Sequence, residues 1–470
     1  MKYDVVIIGS GLGGLICGRQ LARSGRHVVV LERQHVPGGC LQSYQRGSMD
    51  FDTGLHYVGG LAEGQPLHDD FETLGLLQLP WQRLDPDGFD QIMIGQQVFP
   101  LAEGFDRFAE TLSSYFPHQH ATLLQFVDLL LHMPPMAKSM SVNAYDYLSS
   151  LFSDPLLVSV VSAAAMKLEL RRQSLPLFTF VHCLNSYIQS SWRLRGGGNM
   201  IVQSLVRDIL SAGGELCCHA EVKELREKGN RIASAHCKDG RCFEGDLFIS
   251  DVHPQLTFGW MVGSATLKRT FLRRIGNMEN THGMFTVSLV LKPGVLPYFN
   301  HNKYIYRQAD VWTLAEGTDS VGGVMVSARV PDDNSDYVRQ VDLMTPMTWA
   351  PCKAWSDTTV GRRGEAYERL KERMAYECIM LAERAIPGLH AMVERVYTST
   401  PLTWRDYTLS PLGSAFGIRK DCRNPLMTML SPRTPIANLF LTGQSLAMHG
   451  VEGVTKTAFN TLITINSSDI

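Results

Sequence analysis

The segment Met1–Leu31 constrains the fold of this chain more than any other part of the sequence. Asp4–Ile8 is a β-branched run that ends in the glycine loop GSGLGG, Gly13–Ser24 has helical spacing, and His27–Leu31 is a second β-branched run. A strand, a helix and a second strand in so short a span form a βαβ unit. Because such a unit requires a parallel sheet with a right-handed crossover, we predict an α/β fold that begins with a Rossmann-like domain.

The glycine loop has the spacing of a dinucleotide-binding site. Gly9 permits the tight turn from strand to helix, Gly11 lets the backbone approach a pyrophosphate, and Gly14 lets helix and strand pack closely. Leu12 and Gly13 complete the predicted site, because the free N–H groups at the start of a helix favour an anion. The strand before the loop and the helix after it favour this interpretation over an ordinary glycine-rich turn.

An acidic residue follows at the position that holds a ribose. Glu32 ends the second strand, where a dinucleotide-binding fold places a carboxylate on the ribose diol, and Arg33 comes next to it. Gly38 and Gly39 stand six and seven positions after Glu32. This Glu-x5-Gly-Gly extension resembles the fingerprint of FAD-binding oxidoreductases with a glutathione-reductase-like fold. The resemblance implies that the dinucleotide is FAD.

Two further stretches extend the resemblance. GGCLQSYQRGSMDFDTGLHY (Gly38–Tyr57) and LFLTGQSLAMHGVEGV (Leu439–Val454) are similar to segments of the flavin-dependent desaturases, saturases and isomerases of polyenes, the family of phytoene desaturase, carotenoid isomerase and retinol saturase. The order of segments resembles that of this family along nearly the whole chain, whereas the strong motifs lie at the two ends of the chain. The family resemblance implies an FAD-dependent oxidoreductase that acts on C=C bonds of a lipophilic polyene or isoprenoid-like substrate by hydride transfer at flavin N5.

The same resemblance assigns cofactor contacts outside the first loop. Val222 takes the place of a strand residue that reaches the adenine, and Gly443-Gln444 takes the place of a pair beside the ribityl phosphate. Gly453-Val454 is expected to start a helix aimed at the flavin pyrimidine, after a last strand over Phe440–Thr442. The family often has Gly-Asp where this chain has Gly-Gln. Gly-Gln is typical of the retinol-saturase-like branch and favours C=C reduction, with desaturation and cis–trans isomerisation as alternatives.

The order of segments predicts one domain interrupted twice by another. Glycine-rich, cofactor-like stretches lie at both chain ends and in one middle piece, and apolar stretches fill the two gaps. We therefore predict an FAD-binding domain from residues 1–65, 191–254 and 418–470, and a mixed α+β substrate-binding domain from residues 66–190 and 255–417.

Three side chains are candidates for proton transfer near the flavin: His56, Tyr407 and His449. All three stand in segments that the family resemblance brings close to the isoalloxazine. Each has a structural alternative. His56 could bond the backbone of its own turn, Tyr407 could be an amphipathic wall residue, and His449 could only orient its loop.

The amino-acid composition limits the kinds of partner that the protein is expected to bind. The net charge of −2 gives no reason to expect a nucleic-acid partner, and ten cysteines without a CxxC spacing predict neither a metal site nor a redox dithiol. These features favour a reduced, cytoplasmic setting. The apolar segments Ala121–Met136 and Leu175–Ile188 are too short to span a membrane. We expect them to pack in the core, with peripheral membrane contact as the alternative.

The sequence leaves the source of electrons and two rival functions open. A single GxGxxG loop predicts no resident NAD(P)H site, so an unidentified donor or acceptor must visit the flavin. One rival is an amine oxidase on the same scaffold, although the aromatic pair typical of those enzymes is not recognisable. The other is a prenyl-protein carrier of the same fold, which the intact motifs at both chain ends disfavour.

Overall fold

The protein is represented by a computed structural model that describes residues 2–133, 135–316, 320–331 and 335–467. Its strands are β1 (Lys2–Ile8), β2 (Val28–Leu31), β3 (Ser43–Arg46), β4 (Met49–Asp52), β5 (Val58–Gly59), β6 (Trp81–Arg83), β7 (Asp90–Ile94), β8 (Gln97–Leu101), β9 (Ser191–Leu194), β10 (Glu215–Cys217), β11 (Val222–Lys228), β12 (Arg231–Cys237), β13 (Cys242–Ser250), β14 (Gly283–Leu291), β15 (Asn302–Tyr306), β16 (Gly323–Ala328), β17 (Gln340–Met347), β18 (Val393–Ser399) and β19 (Leu439–Leu441).

The α-helices connect and cover these strands. They are α1 (Leu12–Arg23), α2 (His68–Thr73), α3 (Phe105–Tyr115), α4 (His120–Leu131), α5 (Met136–Ser139), α6 (Ala144–Leu151), α7 (Pro155–Ala163), α8 (Leu177–Gln189), α9 (Asn199–Ser211), α10 (Pro254–Gly259), α11 (Arg269–Gly276), α12 (Glu365–Ala382), α13 (Leu389–Met392), α14 (Pro401–Thr408), α15 (Pro425–Thr428) and α16 (Gly450–Asn466). Short 3-10 turns include Gly39–Leu41 and Ala164–Lys167.

The first sheet confirms the predicted α/β class. Its strand order is β10-β2-β1-β13-β12-β11, with β19 paired to β13. β1 pairs in parallel with β2 and β13, and the outer pairings of β2 with β10 and of β13 with β19 are also parallel. β11, β12 and β13 form an antiparallel meander. The buried β-branched residues of β1 and β2 explain why these strands lie inside the sheet, covered on both faces.

Helices from both ends of the chain cover one face of this sheet. α1 contacts α9 and α16, so the first and last helices lie side by side. Gly18 of α1 permits this packing, because a Cβ there would lie 3.2 Å from side-chain atoms of both Ile209 and Val30. The last strand begins at Leu439, one residue before the prediction. The last helix begins at Gly450, three residues before the predicted Gly453.

The second sheet is mostly antiparallel, in the order β18-β14-β17-β16-β15-β7-β8. Only β15 and β7 pair in parallel within it. Residues 66–190 are mostly helical, but β6, β7 and β8 also lie in this part of the chain. β7 alternates between buried and half-buried positions, which is the period of a strand, but it is short and stands beside long leucine-rich helices.

The two apolar segments considered for membrane contact form α4 and α8. α4 buries Leu123, Phe126, Val127 and Leu130 in the core, and α8 also buries most of its apolar residues. Among the described helices, none is both long and apolar enough to cross a membrane. The domain boundaries stay a prediction.

Candidate active site

The carboxyl ends of three parallel strands meet at one crevice of the first sheet. β1 leads into Gly9, β13 into Asp251, and β19 into Thr442-Gly443. Gly9 and Gly443 have φ of +98° and +91°, a backbone conformation that disfavours other residues. A crevice at strand carboxyl ends is where open α/β sheets bind their ligands.

The first helix lies tightly against this crevice. A Cβ on Gly13 would lie 2.7 Å from Asp251 Oδ1 and 3.0 Å from the backbone N of Gly443. A Cβ on Gly14 would overlap the carbonyl oxygen of Gly9 and lie 3.2 Å from Asp251 Cβ. The glycines therefore fix the approach of α1 to the strands, and its free N–H groups open toward the crevice.

The Glu32 carboxylate is held in a defined position at the end of β2. It accepts a hydrogen bond from the backbone N of Ser10 at 3.2 Å, another from the Ser10 hydroxyl, and a third from the backbone N of Gln34 at 2.7 Å. Gly38 in turn donates its N–H to the Ser10 carbonyl at 3.0 Å. The acidic residue, the first loop and the double glycine thus form one hydrogen-bonded unit.

Arg33 connects this unit to helix α14. Its Nη2 donates to the carbonyl oxygens of Asp406 at 2.6 Å and of Tyr407 at 2.8 Å, and Gln34 Nε2 also donates to Tyr407 at 3.0 Å. The Tyr407 side chain itself is 40% exposed. Arg33 therefore holds a neighbouring helix beside the crevice.

One continuous cavity passes over the crevice and into the space between the two large sheets. Nearly all the residues predicted for the site line it: Gly9, Gly11, Leu12, Glu32, Arg33, Gly38, Gly39, His56, Val222, Tyr407, Gly443, Gln444, His449, Gly453 and Val454. Gly13 and Gly14 lie behind the lining, within α1. The structure thus brings residues from both chain ends to one cavity.

Asp251 is a residue of the crevice that the sequence interpretation missed. Burial raises the pKa of its carboxyl to about 7, against the opposing effect of the backbone N–H groups of Gly14 and Gly11, and nearby Glu32 raises it further. A polar residue directly after a buried strand is the signal that could have identified Asp251, because strand ends form the crevice.

The two histidines proposed for proton transfer are half-buried and neutral. Burial lowers the pKa of His56 to about 4, and the charges of Arg193 and Lys167 lower it further. Burial also lowers the pKa of His449 to about 4, together with the charge of Lys420. His56 Nε2 has no hydrogen-bond partner among the described residues. At neutral pH each ring can therefore accept or donate a hydrogen bond but holds no second proton.

A second group that the sequence did not reveal lies in the same cavity. Lys167 Nζ donates to the Tyr57 hydroxyl, which donates to Asp90 Oδ2 at 2.8 Å and lies 2.8 Å from the Tyr304 hydroxyl. Burial lowers the pKa of Lys167 to about 8 and raises that of the Asp90 carboxyl. These residues are far apart in the sequence and share no motif, so only the fold brings them together.

A candidate metal cluster lies outside this cavity. His68, Asp69 and Glu72 are the only described His, Cys, Asp or Glu residues that group closely enough to share an ion. None of the three lines the cavity, and the Asp69 and Glu72 side chains are exposed. Exposed acidic groups on a short helix do not by themselves make a metal site, and we assign none.

The parallel sheet, glycine loop and terminal carboxylate of β2 define a dinucleotide-binding protein, and the chain is an oxidoreductase of this class. Residues 7–74 match the family model of the NAD(P)-binding Rossmann-like domain. The chain is 24% identical to human all-trans-retinol 13,14-reductase, with 97% of this chain and 84% of the relative covered. It is 22% identical to the chloroplastic prolycopene isomerase of Daucus carota, with 98% and 78% covered.

A solved structure extends the comparison to the whole fold. Putrescine oxidase bound to putrescine superposes with a TM-score of 0.67 at 15% identity, covering 99% of each chain. At this identity the likeness shows a shared fold alone. The similarity to retinol reductases and prolycopene isomerases along almost the full chain confirms the resemblance on which the sequence interpretation rests.

Proposed function

We propose that this protein is an FAD-dependent oxidoreductase that reduces C=C bonds of a lipophilic polyene or isoprenoid-like substrate. One observation carries the proposal: the cavity that begins at the dinucleotide loop continues into an apolar chamber beside the second sheet. Met166, Met284, Met325 and Met344 line that chamber, and flexible apolar side chains of this kind suit a long hydrocarbon. The relatives named as retinol reductases and carotenoid isomerases support a substrate of this class.

The residues of the crevice suit FAD. Glu32 would hold the adenosine ribose, the start of α1 the pyrophosphate, and Val222 the adenine. Gly443-Gln444 would flank the ribityl chain. The start of α16, with Gly453-Val454 in its first turn, would place positive helix-dipole charge near the pyrimidine ring.

Unsatisfied polar atoms in the cavity also favour a bound polar group. His56 Nε2, Thr179 Oγ1 and Trp404 Nε1 line the cavity, are buried, and have no hydrogen-bond partner in the described part of the chain. A buried donor or acceptor without a partner is costly, so a ligand that bonds to these atoms would stabilise the site. Bound FAD supplies hydride transfer at N5, and the protein orients the cofactor and excludes water.

Desaturation and cis–trans isomerisation are the alternatives on the same site, because both would use the same flavin and cavity. Reduction is favoured by Gln444, which stands where a carboxylate would be expected in a desaturase-like tail. His56, Tyr407 and His449 remain proposed proton-transfer residues. The two histidines would serve as hydrogen-bonding groups or bases, because both are neutral at physiological pH.

An amine oxidase is the second candidate, because putrescine oxidase shares the fold. The two functions separate in a direct experiment. The bound flavin is identified by mass after denaturation, reduced anaerobically, and offered all-trans-retinol, other polyenes or enones. We expect FAD and reoxidation by an unsaturated lipid. Reduction of the oxidised flavin by putrescine, with no reoxidation by any polyene, would establish the amine oxidase instead.

The reductant has to come from outside the chain. We propose that a reduced nicotinamide, a quinol or a small redox protein visits the flavin, because a single dinucleotide loop serves the cofactor itself. Rapid mixing of the oxidised holoenzyme with NADPH, with a reduced quinone analogue and with reduced ferredoxin distinguishes these classes by the rate at which flavin absorbance falls. Oxygen is the corresponding acceptor to test for the reverse reaction.

We also propose that the protein contacts a membrane through the surface around α11, which suits a lipophilic substrate. Val262 is 94% exposed and Leu426 is 85% exposed, and Arg274 donates to the Leu426 carbonyl at 3.0 Å. The α11 segment also carries the exposed cations Lys268, Arg269 and Arg273. Exposed apolar and basic groups in one region favour an anionic lipid surface.

Vesicle sedimentation tests this surface. We expect binding to phosphatidylcholine vesicles that contain phosphatidylserine and loss of that binding in the triple variant K268Q/R269Q/R273Q. The variant K353Q/K371Q/K456Q removes the same charge elsewhere and should still bind. Equal binding of both variants would overturn the assignment of the surface. The cytoplasmic location stays a prediction.

A further inference from the structure

Lys167 stands in the cavity wall in an aromatic setting. It ends the 3-10 turn between α7 and α8, and its Nζ lies 3.3 Å from the centroid of the Tyr187 ring and 4.0 Å from that of Tyr57. The two rings are 4.6 Å apart. Ring faces attract a cation, and together they hold the ammonium at one place in the wall.

The ammonium retains hydrogen-bonding capacity. It has three N–H donors, and in the described part of the chain the Tyr57 hydroxyl is its only acceptor. The Tyr57 proton goes to Asp90, whose other oxygen accepts from Asn302 Nδ2 at 2.8 Å. Asp90 is therefore fully engaged behind Tyr57, and the remaining donors of Lys167 are available to a molecule in the cavity.

Arg193 is a second cation that faces Asp90. Arg193 is buried, whereas Lys167 is half-buried. The Arg193 guanidinium bonds neutral groups, among them Asn302 Oδ1 at 2.7 Å and Tyr298 Oη at 3.2 Å, and the described hydrogen bond of the Lys167 ammonium also goes to a neutral group. A cation without a carboxylate partner is costly to remove from water.

The other titratable groups near Lys167 line the same cavity. His56 is neutral, as is the half-buried thiol of Cys183, whose pKa burial raises to about 11. Glu452 of α16 lies 3.2 Å from His182 Nε2, and its buried Oε1 makes no hydrogen bond in the described part of the chain. None of these groups is a described hydrogen-bond partner of the Lys167 ammonium.

Lys167 also lies close to the end of the cavity where α16 begins. His449 is the residue immediately before α16, and His449 and Lys167 both line this cavity. An anion on Lys167 would consequently sit beside the part of the cavity assigned to the flavin ring, with the apolar chamber extending away from it.

We propose that Lys167, which Tyr57 holds in place, binds the carboxylate of an unsaturated carboxylic acid whose hydrocarbon chain occupies the apolar chamber. The placement of that chain rests on the proposed function. A carboxylate accepts from the free N–H donors of Lys167 and carries the charge opposite to that of the ammonium, which makes the hydrogen bond stronger than one to a neutral group. A hydrocarbon offers no acceptor, and an alcohol carries no negative charge. The proposal narrows the substrate class from polyenes in general to polyene or fatty acids.

Binding to the oxidised holoenzyme tests the carboxylate site without turnover. The probes are all-trans-retinoic acid, its methyl ester and all-trans-retinol, and the readout is quenching of tryptophan fluorescence. For the unmodified protein we expect the acid to bind at least tenfold more tightly than the methyl ester. Equal affinities of acid and ester would overturn the proposal without any substitution.

The variant K167M removes the charge and keeps an apolar chain of similar length. We expect it to weaken binding of retinoic acid at least tenfold and to leave the affinity for retinol within about twofold, a difference that separates loss of one charge contact from general misfolding. K292M, at an exposed lysine bonded to a backbone carbonyl, is the matched control and should bind both probes normally. Equal weakening of both probes in K167M would contradict the proposal.

The outcome is distinguishable from a failure of the proposed function. If no polyene reoxidises the reduced flavin but the affinity for retinoic acid still depends on Lys167, the carboxylate site is supported and C=C reduction is contradicted. If polyenes reoxidise the flavin and the acid binds no more tightly than its methyl ester, C=C reduction is supported and the carboxylate site is contradicted.

Discussion

Gly14 stands where the first helix comes closest to the strand before it. A methyl group there would overlap the Gly9 carbonyl, and neither backbone segment has room to move because both belong to the buried sheet and helix. We predict that G14A loses at least tenfold in flavin affinity, measured by flavin fluorescence on dilution. G259A is the control, because a Cβ at Gly259 would meet no atom within 4 Å. Flavin affinity of G14A equal to that of G259A would contradict the assigned role of the loop.

The titration of Asp251 makes the free energy of unfolding of the protein depend on pH. Its pKa is raised by burial from 3.8 in the unfolded chain to about 7 in the fold, so folding favours the protonated acid. The resulting stabilisation is complete below about pH 4, declines as pH rises toward 7, and is absent above 7.

The variant D251N keeps the shape of the side chain and removes this dependence. We predict that the Tm of D251N minus that of the unmodified apoprotein increases from pH 4 to pH 7 and then levels off, as the charged form of Asp251 becomes populated. Thermal unfolding followed by circular dichroism at several pH values measures the difference. A Tm difference that stays constant over this range would show that Asp251 does not titrate as described.

Sequence patterns identify residues of this site only where the functional residues lie close together in the sequence. Glu32 could be predicted because it follows the loop at a fixed spacing within one βαβ unit. Lys167, Tyr57 and Asp90 could not, because they come from three separate elements and each looks like an ordinary core or surface residue by itself. Their burial and mutual hydrogen bonds follow from the packing of the whole chain.

At the scale of elements, Arg33 connects β2 to the last turn of α14. Its guanidinium donates to two carbonyls there, and carbonyls at a helix end lack helical partners. We predict that R33M lowers Tm by roughly 1–2 °C, because two charge-assisted hydrogen bonds at a partly exposed site are lost. R395M removes an arginine from an exposed position and should leave Tm unchanged. Equal Tm values for R33M and R395M would show that the hydrogen bonds from Arg33 to α14 add nothing to the stability of the protein.

The elements of the first sheet were predictable because they are β-branched, buried and bounded by glycine or turn dipeptides. β11 and β12, for example, are separated by Gly229-Asn230, and Asp239-Gly240 follows β12. Strands β6 and β7 are harder to predict, since β7 pairs with β15, about 200 residues further on, and β6 pairs with β9, about 110 residues further on. Local periodicity contains no information about such distant pairings.

For the whole molecule, the arrangement explains why both chain ends contribute to one cavity. α1 and α16 pack side by side on the first sheet, and the ends of β1, β13 and β19 open toward the chamber beside the second sheet. A cofactor bound in the crevice would therefore contact both the first and the last segments of the chain. Loss of flavin should lower Tm, because a ligand that binds only the folded chain stabilises it.

The central claim is that reduced flavin in this site adds two hydrogen atoms to a C=C bond. A single anaerobic turnover of the photoreduced holoenzyme with a polyene tests it most directly, with mass spectrometry of the product and absorbance of the flavin followed together. We expect a product that carries two more hydrogens than the substrate, formed in proportion to the flavin that is oxidised. A product of unchanged mass, or one with two fewer hydrogens from the oxidised holoenzyme alone, would contradict it.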